Sequence, residues 1–207
     1  MKRKGLLLVV SGPSGVGKGT ICKALMKLRE DIKLSISMTT RAPRTGEEEG
    51  VNYFFTERDT FIKLMQQGEL LEYAKVYDNY YGTPKAFVME QLNQGVDVLL
   101  EIDIQGALKV KAQYPEGVFV FILPPTMEEL KNRIVGRGTE SAEAIDKRFT
   151  AAYNEIDLME NYNYFIFNDR VDLATARLIS IIEAERLRIR PQSVKELIRE
   201  IKEESKC

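Results

Sequence analysis

An unbroken apolar run, Leu6-Leu7-Leu8-Val9-Val10, leads into Gly12-Pro13-Ser14-Gly15-Val16-Gly17-Lys18-Gly19-Thr20. A buried strand that breaks into a glycine-rich loop ending in Gly-Lys constrains the fold more than any other feature of the chain. Glycine admits backbone conformations that a Cβ forbids, so successive N–H groups can turn inward toward an anion. A helix opening near Lys18 adds its positive N-terminal end, and Lys18 adds a mobile charge for the outer phosphates. The residue after such a lysine is usually Ser or Thr, whose hydroxyl ligates Mg²⁺; here it is Gly19, with Thr20 one place later. Either Thr20 takes over, directly or through water, or the metal is held mainly by phosphate and water. The plain alternative is a glycine-rich turn with Lys18 in solvent. The apolar strand before the loop, and Ile21, Ala24, Leu25 and Leu28 on one face of the helix after it, favour the phosphate cradle.

The 207 residues are enough for one substantial core, and the formal net charge is only −1. Near neutrality argues against a nucleic-acid binder working by bulk charge. Cys22 and Cys207 are too few and too far apart for a disulfide framework or a zinc site. The basic start Met1-Lys2-Arg3-Lys4 is followed by too short an apolar stretch for a signal peptide, and no run reaches transmembrane length. A cytoplasmic enzyme is the expectation, with no membrane and no nucleic-acid partner. The chain has no histidine, which removes the usual general base and every Ser-His or Cys-His nucleophile system. Phosphoryl transfer suits that inventory, because it needs positioning and charge neutralisation more than proton shuttling.

Strands are predicted at Leu6–Val10, Val96–Ile102, Val118–Leu123 and Tyr164–Phe167, with helical stretches between them. That alternation predicts an α/β fold: a parallel sheet core with helices on both faces. Gly95 should end the helix before the second strand, and Thr126-Met127-Glu128-Glu129 reads as a capping box. A long helix is predicted from Leu173 to about Ile189. After Pro191 a charged helix should open at Ser193, with Val194, Leu197, Ile198 and Ile201 on one face. Residues 35–83 read differently, as short alternating pieces around a helix at Glu57–Gln67. The expected organisation is a core from residues 1–34 and 84–207, a small mixed insertion at 35–83, and a short lid at 135–147 whose Gly136-Arg137-Gly138 would permit hinge motion.

Four further clusters carry candidate chemistry. Arg41 and Arg44, in Ser37-Met38-Thr39-Thr40-Arg41-Ala42-Pro43-Arg44, are either a fork for a second phosphate or cations of a solvated loop. Asn79-Tyr80-Tyr81-Gly82-Thr83-Pro84 offers tyrosine hydroxyls to a phosphate and Thr83 to a base, while Thr-Pro alone is a natural helix cap. Glu101-Ile102-Asp103-Ile104-Gln105-Gly106 closes a strand, and Asp103 there either orients Mg²⁺ water, binds a base or caps the next helix. Arg133, Arg137 and Arg148 are either lid arginines that close over a transferring phosphoryl group or ordinary surface cations.

Taken together, S-G-P-S-G-V-G-K-G-T, S-x-T-T-R-x-P-R, G-x-x-Y-F-F, N-Y-Y-G-T, E-I-D-I-Q-G and G-R-G-T-E make the chain resemble the guanylate kinases from Leu6 to about Asp172. The resemblance implies the P-loop nucleoside monophosphate kinase fold and transfer of the γ-phosphoryl group of ATP to GMP or dGMP, with Mg²⁺. It implies that Gly12, Pro13, Ser14, Gly15, Val16, Gly17, Lys18, Gly19 and Thr20 hold ATP, with Asn168 near the adenine. Arg41, Arg44, Tyr53 and Tyr81 would hold the GMP phosphate, and Ser37, Glu72, Thr83 and Asp103 would face guanine. Lys18, Arg41, Arg133, Arg137 and Arg148 would carry catalysis, and Thr20 and Asp103 are the candidates nearest the metal. Strand alternation predicts that Glu72 points away from Leu71 and Tyr73.

Three rivals remain at this point. Asp103-Ile104-Gln105-Gly106 also fits the D-x-x-G of a GTPase switch, but no N-K-x-D follows to read guanine. Non-catalytic guanylate-kinase-like interaction modules exist, and the intact Lys18 loop argues against one. A kinase for another monophosphate differs only in its base-reading residues. Oligomeric state is not readable from the sequence.

Overall fold

The computed structural model describes residues 4–76, 78–135 and 142–189, together with 198, 199 and 202. The strands are β1 (Leu7–Ser11), β2 (Ile32–Leu34), β3 (Met38–Thr39), β4 (Phe54–Phe55), β5 (Leu70–Val76), β6 (Asn79–Pro84), β7 (Asp97–Glu101), β8 (Val118–Leu123) and β9 (Tyr164–Phe167). The helices are α1 (Lys18–Leu28), α2 (Arg58–Gln66), α3 (Lys85–Asn93), α4 (Ile104–Gln113), α5 (Met127–Val135), α6 (Ala142–Glu155) and α7 (Val171–Leu187), with a 3₁₀ segment at Ile156–Asn161. The lid arginine Arg137, with Gly136 and Gly138, lies outside the described residues, as do Cys207 and most of the segment expected to form a last helix; Ile198 of that segment is exposed.

Among the described residues, the core is a five-stranded sheet in the order β2-β7-β1-β8-β9, parallel throughout. Every residue of β1 and β8 is buried. Strands covered on both faces read as continuous apolar runs, which is why these were visible in the sequence. Alternation then divides them. Leu8, Val10, Val120, Ile122 and Ile166 pack against Ile21 and Leu25 of α1, Leu130 of α5 and Leu178 of α7. Leu7, Val9, Leu100 and Phe119 pack against Val88 and Leu92 of α3 and Val110 of α4.

Several boundaries differ from the sequence expectation for local reasons. The first strand starts one residue late, because the Leu6 N–H donates to Asp97 Oδ1 at 2.8 Å instead of to a neighbouring strand. Strand β2 was not anticipated; it is three residues long with only Ile32 buried, too short to show a period. The long last helix runs Val171–Leu187 and not from Leu173 to about Ile189. Gly95 does end the helix before β7, at φ 86°, and Thr126 Oγ1 accepts from the Glu129 N–H at 3.1 Å, one half of the anticipated capping box.

A second sheet, β4-β3-β6-β5, is mixed, with β3 and β4 parallel and the other pairs antiparallel. It touches the core through β5 against α4. Helix α4 fastens it with two donors: Gln113 Nε2 to the Leu71 carbonyl at 2.9 Å and Lys109 Nζ to the Tyr73 carbonyl at 2.5 Å. No described helix is long and apolar enough to cross a membrane.

The amino ends of the central strands carry a buried ionic clasp. Asp97, 5% exposed, accepts from the Leu6 N–H and from Arg186 Nε at 2.8 Å and Nη2 at 2.7 Å. Arg186 also pairs with Asp31, which Arg29 grips in turn. These cations hold the Asp31 carboxyl well below the usual carboxylate range. The clasp ties α7 to β1 and β7. Arg186→Met would leave the Asp97 charge buried with one N–H partner. The expected cost is about 2–3 kcal/mol, at the low end for a broken buried pair because Arg186 is partly exposed, read by calorimetry as a fall in Tm of roughly 5–10 °C. Arg170→Met, in the exposed Arg170–Asp172 pair, should leave Tm unchanged.

Candidate active site

Several of the groups singled out in the sequence, the glycine-rich loop and Asp103 among them, follow the carboxyl ends of core strands β1 and β7, where ligands bind in folds of this kind. Strand β1 ends at Ser11 and the loop begins at Gly12, whose φ is 148°. A Cβ at Gly12 would lie 2.4 Å from the Ile122 carbonyl oxygen of β8, so the loop leaves the sheet where no side chain fits. Gly17, at φ 95°, is the N-cap of α1, and no side chain caps that helix. The orphan N–H groups of the first turn are therefore available to an anion.

Lys18 is half-buried, not solvent-facing. Its Nζ donates to the carbonyls of Gly12 at 2.7 Å and Pro13 at 3.2 Å, so the side chain folds back across the mouth of the loop. Burial lowers its pKa below the ordinary lysine value, while Glu101, Glu155 and Asp103 oppose that shift. Burial raises the carboxyls of Glu101 and Glu155, with Lys18 pulling both back down.

Two arginines reach the loop from one side. Arg148 Nη2 donates to Ser14 Oγ at 2.8 Å. Arg133 donates to the carbonyls of Val16 at 3.3 Å and Asn168 at 3.1 Å, and pairs with Glu129. Asn168 is buried and its Nδ2 donates to the Val16 carbonyl at 2.8 Å. Thr20, in the first turn of α1, is exposed.

A second basic centre lies on the mixed sheet. Arg41 Nη2 meets both carboxylate oxygens of Glu47 at 2.9 Å, and Arg41 Nη1 donates to the Ala42 carbonyl. Its guanidinium sits over the Tyr53 ring at 5.5 Å, and Tyr53 meets Tyr81 edge-on at 5.9 Å. The pair with Glu47 raises the Arg41 pKa, and Tyr81 adds to the effect. Arg44 is exposed, and its backbone N–H donates to Glu47 Oε2 at 2.8 Å. The neighbouring Tyr80 is elsewhere: β6 alternation turns its ring onto Phe61 of α2, stacked at 5.4 Å.

A pair of carboxylates meets at the start of α4. Glu72 is 7% exposed and accepts from the Thr83 hydroxyl at 2.7 Å. Thr83 is therefore a strand residue bonded to Glu72 and not the cap of α3, which Pro84 supplies. Alternation fails at Glu72 itself. The β5–β6 register shifts between Leu70 and Glu72, and this bulge makes Leu71 and Glu72 both buried while Tyr73 is exposed. Burial pushes the Glu72 carboxyl up, and nearby Asp103 pushes the same way. Asp103 caps α4, accepting from the Gly106 N–H at 2.7 Å. A Cβ on Gly106 would lie 3.0 Å from Glu72 Oε2 and 3.3 Å from Asp103 Oδ1, so both carboxylates close on the same point. Ser37 is half-buried beside β3, its carbonyl accepting from the Phe54 N–H.

Two acidic residues stand out that the sequence did not assign. Glu47 shares its run with Glu48 and Glu49, and nothing local marks the one that will grip Arg41. Glu101 ends β7 beside β1, in register with Val10. A Cβ on Gly19 would come within 3.1 Å of Glu101 Oε1, so the space beside Lys18 that a Ser or Thr would use faces a carboxylate. Thr20, Asp103 and Glu101 each offer hard oxygen donors of the kind Mg²⁺ takes. Among the described residues no group of three or more His, Cys, Asp or Glu side chains is placed to hold a metal ion.

The family profile described as guanylate kinase matches residues 4–185. The guanylate kinase of Caldanaerobacter subterraneus subsp. tengcongensis is 58% identical over 205 residues, covering 99% of this chain and 98% of that one. The guanylate kinase of Clostridioides difficile strain 630 is 59% identical over 187 residues, covering 90% and 91%. Among solved structures, the guanylate kinase from Anaplasma phagocytophilum superposes with a TM-score of 0.73 at 36% identity, over 91% of this chain and 89% of that one. With the profile spanning most of its length and relatives aligned nearly end to end, the chain belongs to the guanylate kinase family.

Proposed function

We propose that the chain transfers the γ-phosphoryl group of ATP directly to GMP, or dGMP, with Mg²⁺, in the cytoplasm. The observation that carries this reading is a phosphate loop, a second arginine centre on the mixed sheet, and the buried Glu72 carboxylate meeting Asp103 at the start of α4. Residues 12–20 hold the ATP phosphates. Arg41 and Arg44, with the hydroxyls of Tyr53 and Tyr81, hold the phosphate of GMP. Glu72, Thr83, Asp103 and Ser37 face guanine, whose N1–H and exocyclic amino group are adjacent donors that a carboxylate accepts.

The acceptor is already an anion, so no base is needed. A GMP phosphate oxygen attacks the γ-phosphorus, and the bond to the oxygen bridging to ADP breaks. The obstacle is repulsion between two polyanions. Lys18, Arg41, Arg133, Arg137 and Arg148 oppose it with positive charge. Bound Mg²⁺ would neutralise phosphate oxygens further, held by Glu101, Asp103 or Thr20 through water.

The direct test is ADP release from ATP in the presence of individual nucleoside monophosphates. GMP should support turnover, and AMP, CMP and UMP should stay near background. Equal rates with AMP would defeat the base assignment.

Lys18→Met should lower kcat by roughly 10²–10³-fold, the scale of removing one preorganised transition-state donor. Stopped-flow kinetics would read it, and a near-normal kcat would remove Lys18 from the reaction. Arg41→Met should weaken GMP by about 1.5–3 kcal/mol, the range for charge-assisted hydrogen bonds, with ATP affinity changed less than about twofold. Calorimetry showing the opposite split would mean the two nucleotide sites are exchanged. Glu72→Ala should cost about 1.5–3 kcal/mol in kcat/KM for GMP and narrow the GMP/AMP ratio, because repulsion of the adenine N1 lone pair is lost with the carboxylate.

A further inference from the structure

The Val16 carbonyl is held from outside the phosphate loop. Val16 is fully buried, and its oxygen accepts from Asn168 Nδ2 at 2.8 Å and from Arg133 Nη1 at 3.3 Å. Asn168 is itself pinned. It is 4% exposed, its N–H donates to the Leu123 carbonyl of β8 at 2.8 Å, and its carbonyl accepts from Arg133 Nη2 at 3.1 Å. Gly17 leaves room for this arrangement, since a Cβ there would lie 2.4 Å from Asn168 Nδ2.

The Val16 carbonyl and the Gly17 N–H belong to one planar trans peptide, so they point in opposite directions. Turning the oxygen outward onto Asn168 turns the Gly17 N–H toward the loop interior. We infer that Asn168 is a positioning residue for the phosphate loop: it fixes the Val16–Gly17 peptide so that the Gly17 N–H faces the polyphosphate, and it does so whatever base the donor carries. The inference rests on the reading that residues 12–20 hold the ATP phosphates. It differs from the family expectation of a residue near the adenine, because one Asn168 Nδ2 hydrogen is committed to the loop backbone.

Asn168→Ala removes the donor. Asn168→Asp keeps the shape but sets an acceptor against an acceptor, which favours a turned peptide. The measurements, on the full chain, are KM for ATP, KM for GMP, Tm, and the inhibition constant of magnesium tripolyphosphate competing with ATP. For Asn168→Ala, KM for ATP and the tripolyphosphate constant should rise together, by about tenfold, the scale of one buried hydrogen bond. KM for GMP should stay within about twofold, a split that general loosening of the fold would not produce. Asn168→Asp should show at least the same loss, and it carries the comparison if the Ala variant does not fold. A rise for ATP with tripolyphosphate unaffected would overturn the inference in favour of an adenine contact, and no change in either would overturn it outright. Failure of the underlying loop reading shows in the unsubstituted protein, where tripolyphosphate would not compete with ATP; that outcome removes the inference with it.

Discussion

Strand β1 is enclosed on both faces and both edges, and this restricts where the chain can put charge. Between Leu6 and Ser11 nothing reaches solvent, so an ion near the strand must sit at one of its ends. At the amino end the charges pair with one another: Asp97, Arg186, Asp31, Arg29 and Glu183 form an ionic network that ties α7 to the sheet. At the carboxyl end the backbone turns through Gly12 into unpaired N–H groups, and the charges are gathered around a space. One end of the strand is a fastening and the other is a receptor, and the buried run between them holds the two apart.

The receptor end is ordered by its carboxylates as much as by its cations. Glu47 and the Ala42 carbonyl fix the Arg41 guanidinium over the Tyr53 ring. Glu101, Glu155 and Asp103 work against the burial that pulls the Lys18 pKa down. Burial raises Glu72, and the Thr83 hydroxyl stabilises its ionised form. A site crowded with positive charge and no acids would repel itself before any ligand arrived. Here Lys18, Arg41, Arg133 and Arg148 each have a partner that holds their direction without filling their whole hydrogen-bonding capacity.

Much of this was legible in the sequence because the signals were strong and local. Leu6–Val10 and Val118–Leu123 are continuous apolar runs, and such runs are what two-sided burial requires. The Gly12–Thr20 loop carries its geometry in its glycines. What escaped notice depended on partners distant in the chain. Strand β2 exists because β7 offers it an edge, not because three residues announce it. The Leu71 bulge defeats alternation, which assumes a regular ladder. Thr83 beside a proline reads locally as a cap, yet its hydroxyl finds Glu72 eleven residues away. Glu47 cannot be told from Glu48 until the turn brings it under Arg41. Asn168 looks like the end of a strand, and its bond to Val16 spans 152 positions.

The bulge in β5 has a mechanical side. Leu71 is buried in the core of the main sheet with Val88, Leu92 and Val110, and Gln113 holds its carbonyl. The next residue, Glu72, approaches Gly106 beside Asp103 at the start of α4. A rotation of the whole mixed sheet would have to pull Leu71 out of that core and break the grip of α4. The carboxylates proposed to face the base are therefore anchored to the core through β5 and α4. Any travel is left to the short strands β3 and β4, with the loop that carries Arg41 and Arg44. On this account the nucleobase would be sorted against a rigid wall before the phosphate is gripped, so that a wrong base is refused before the arginines have closed on it.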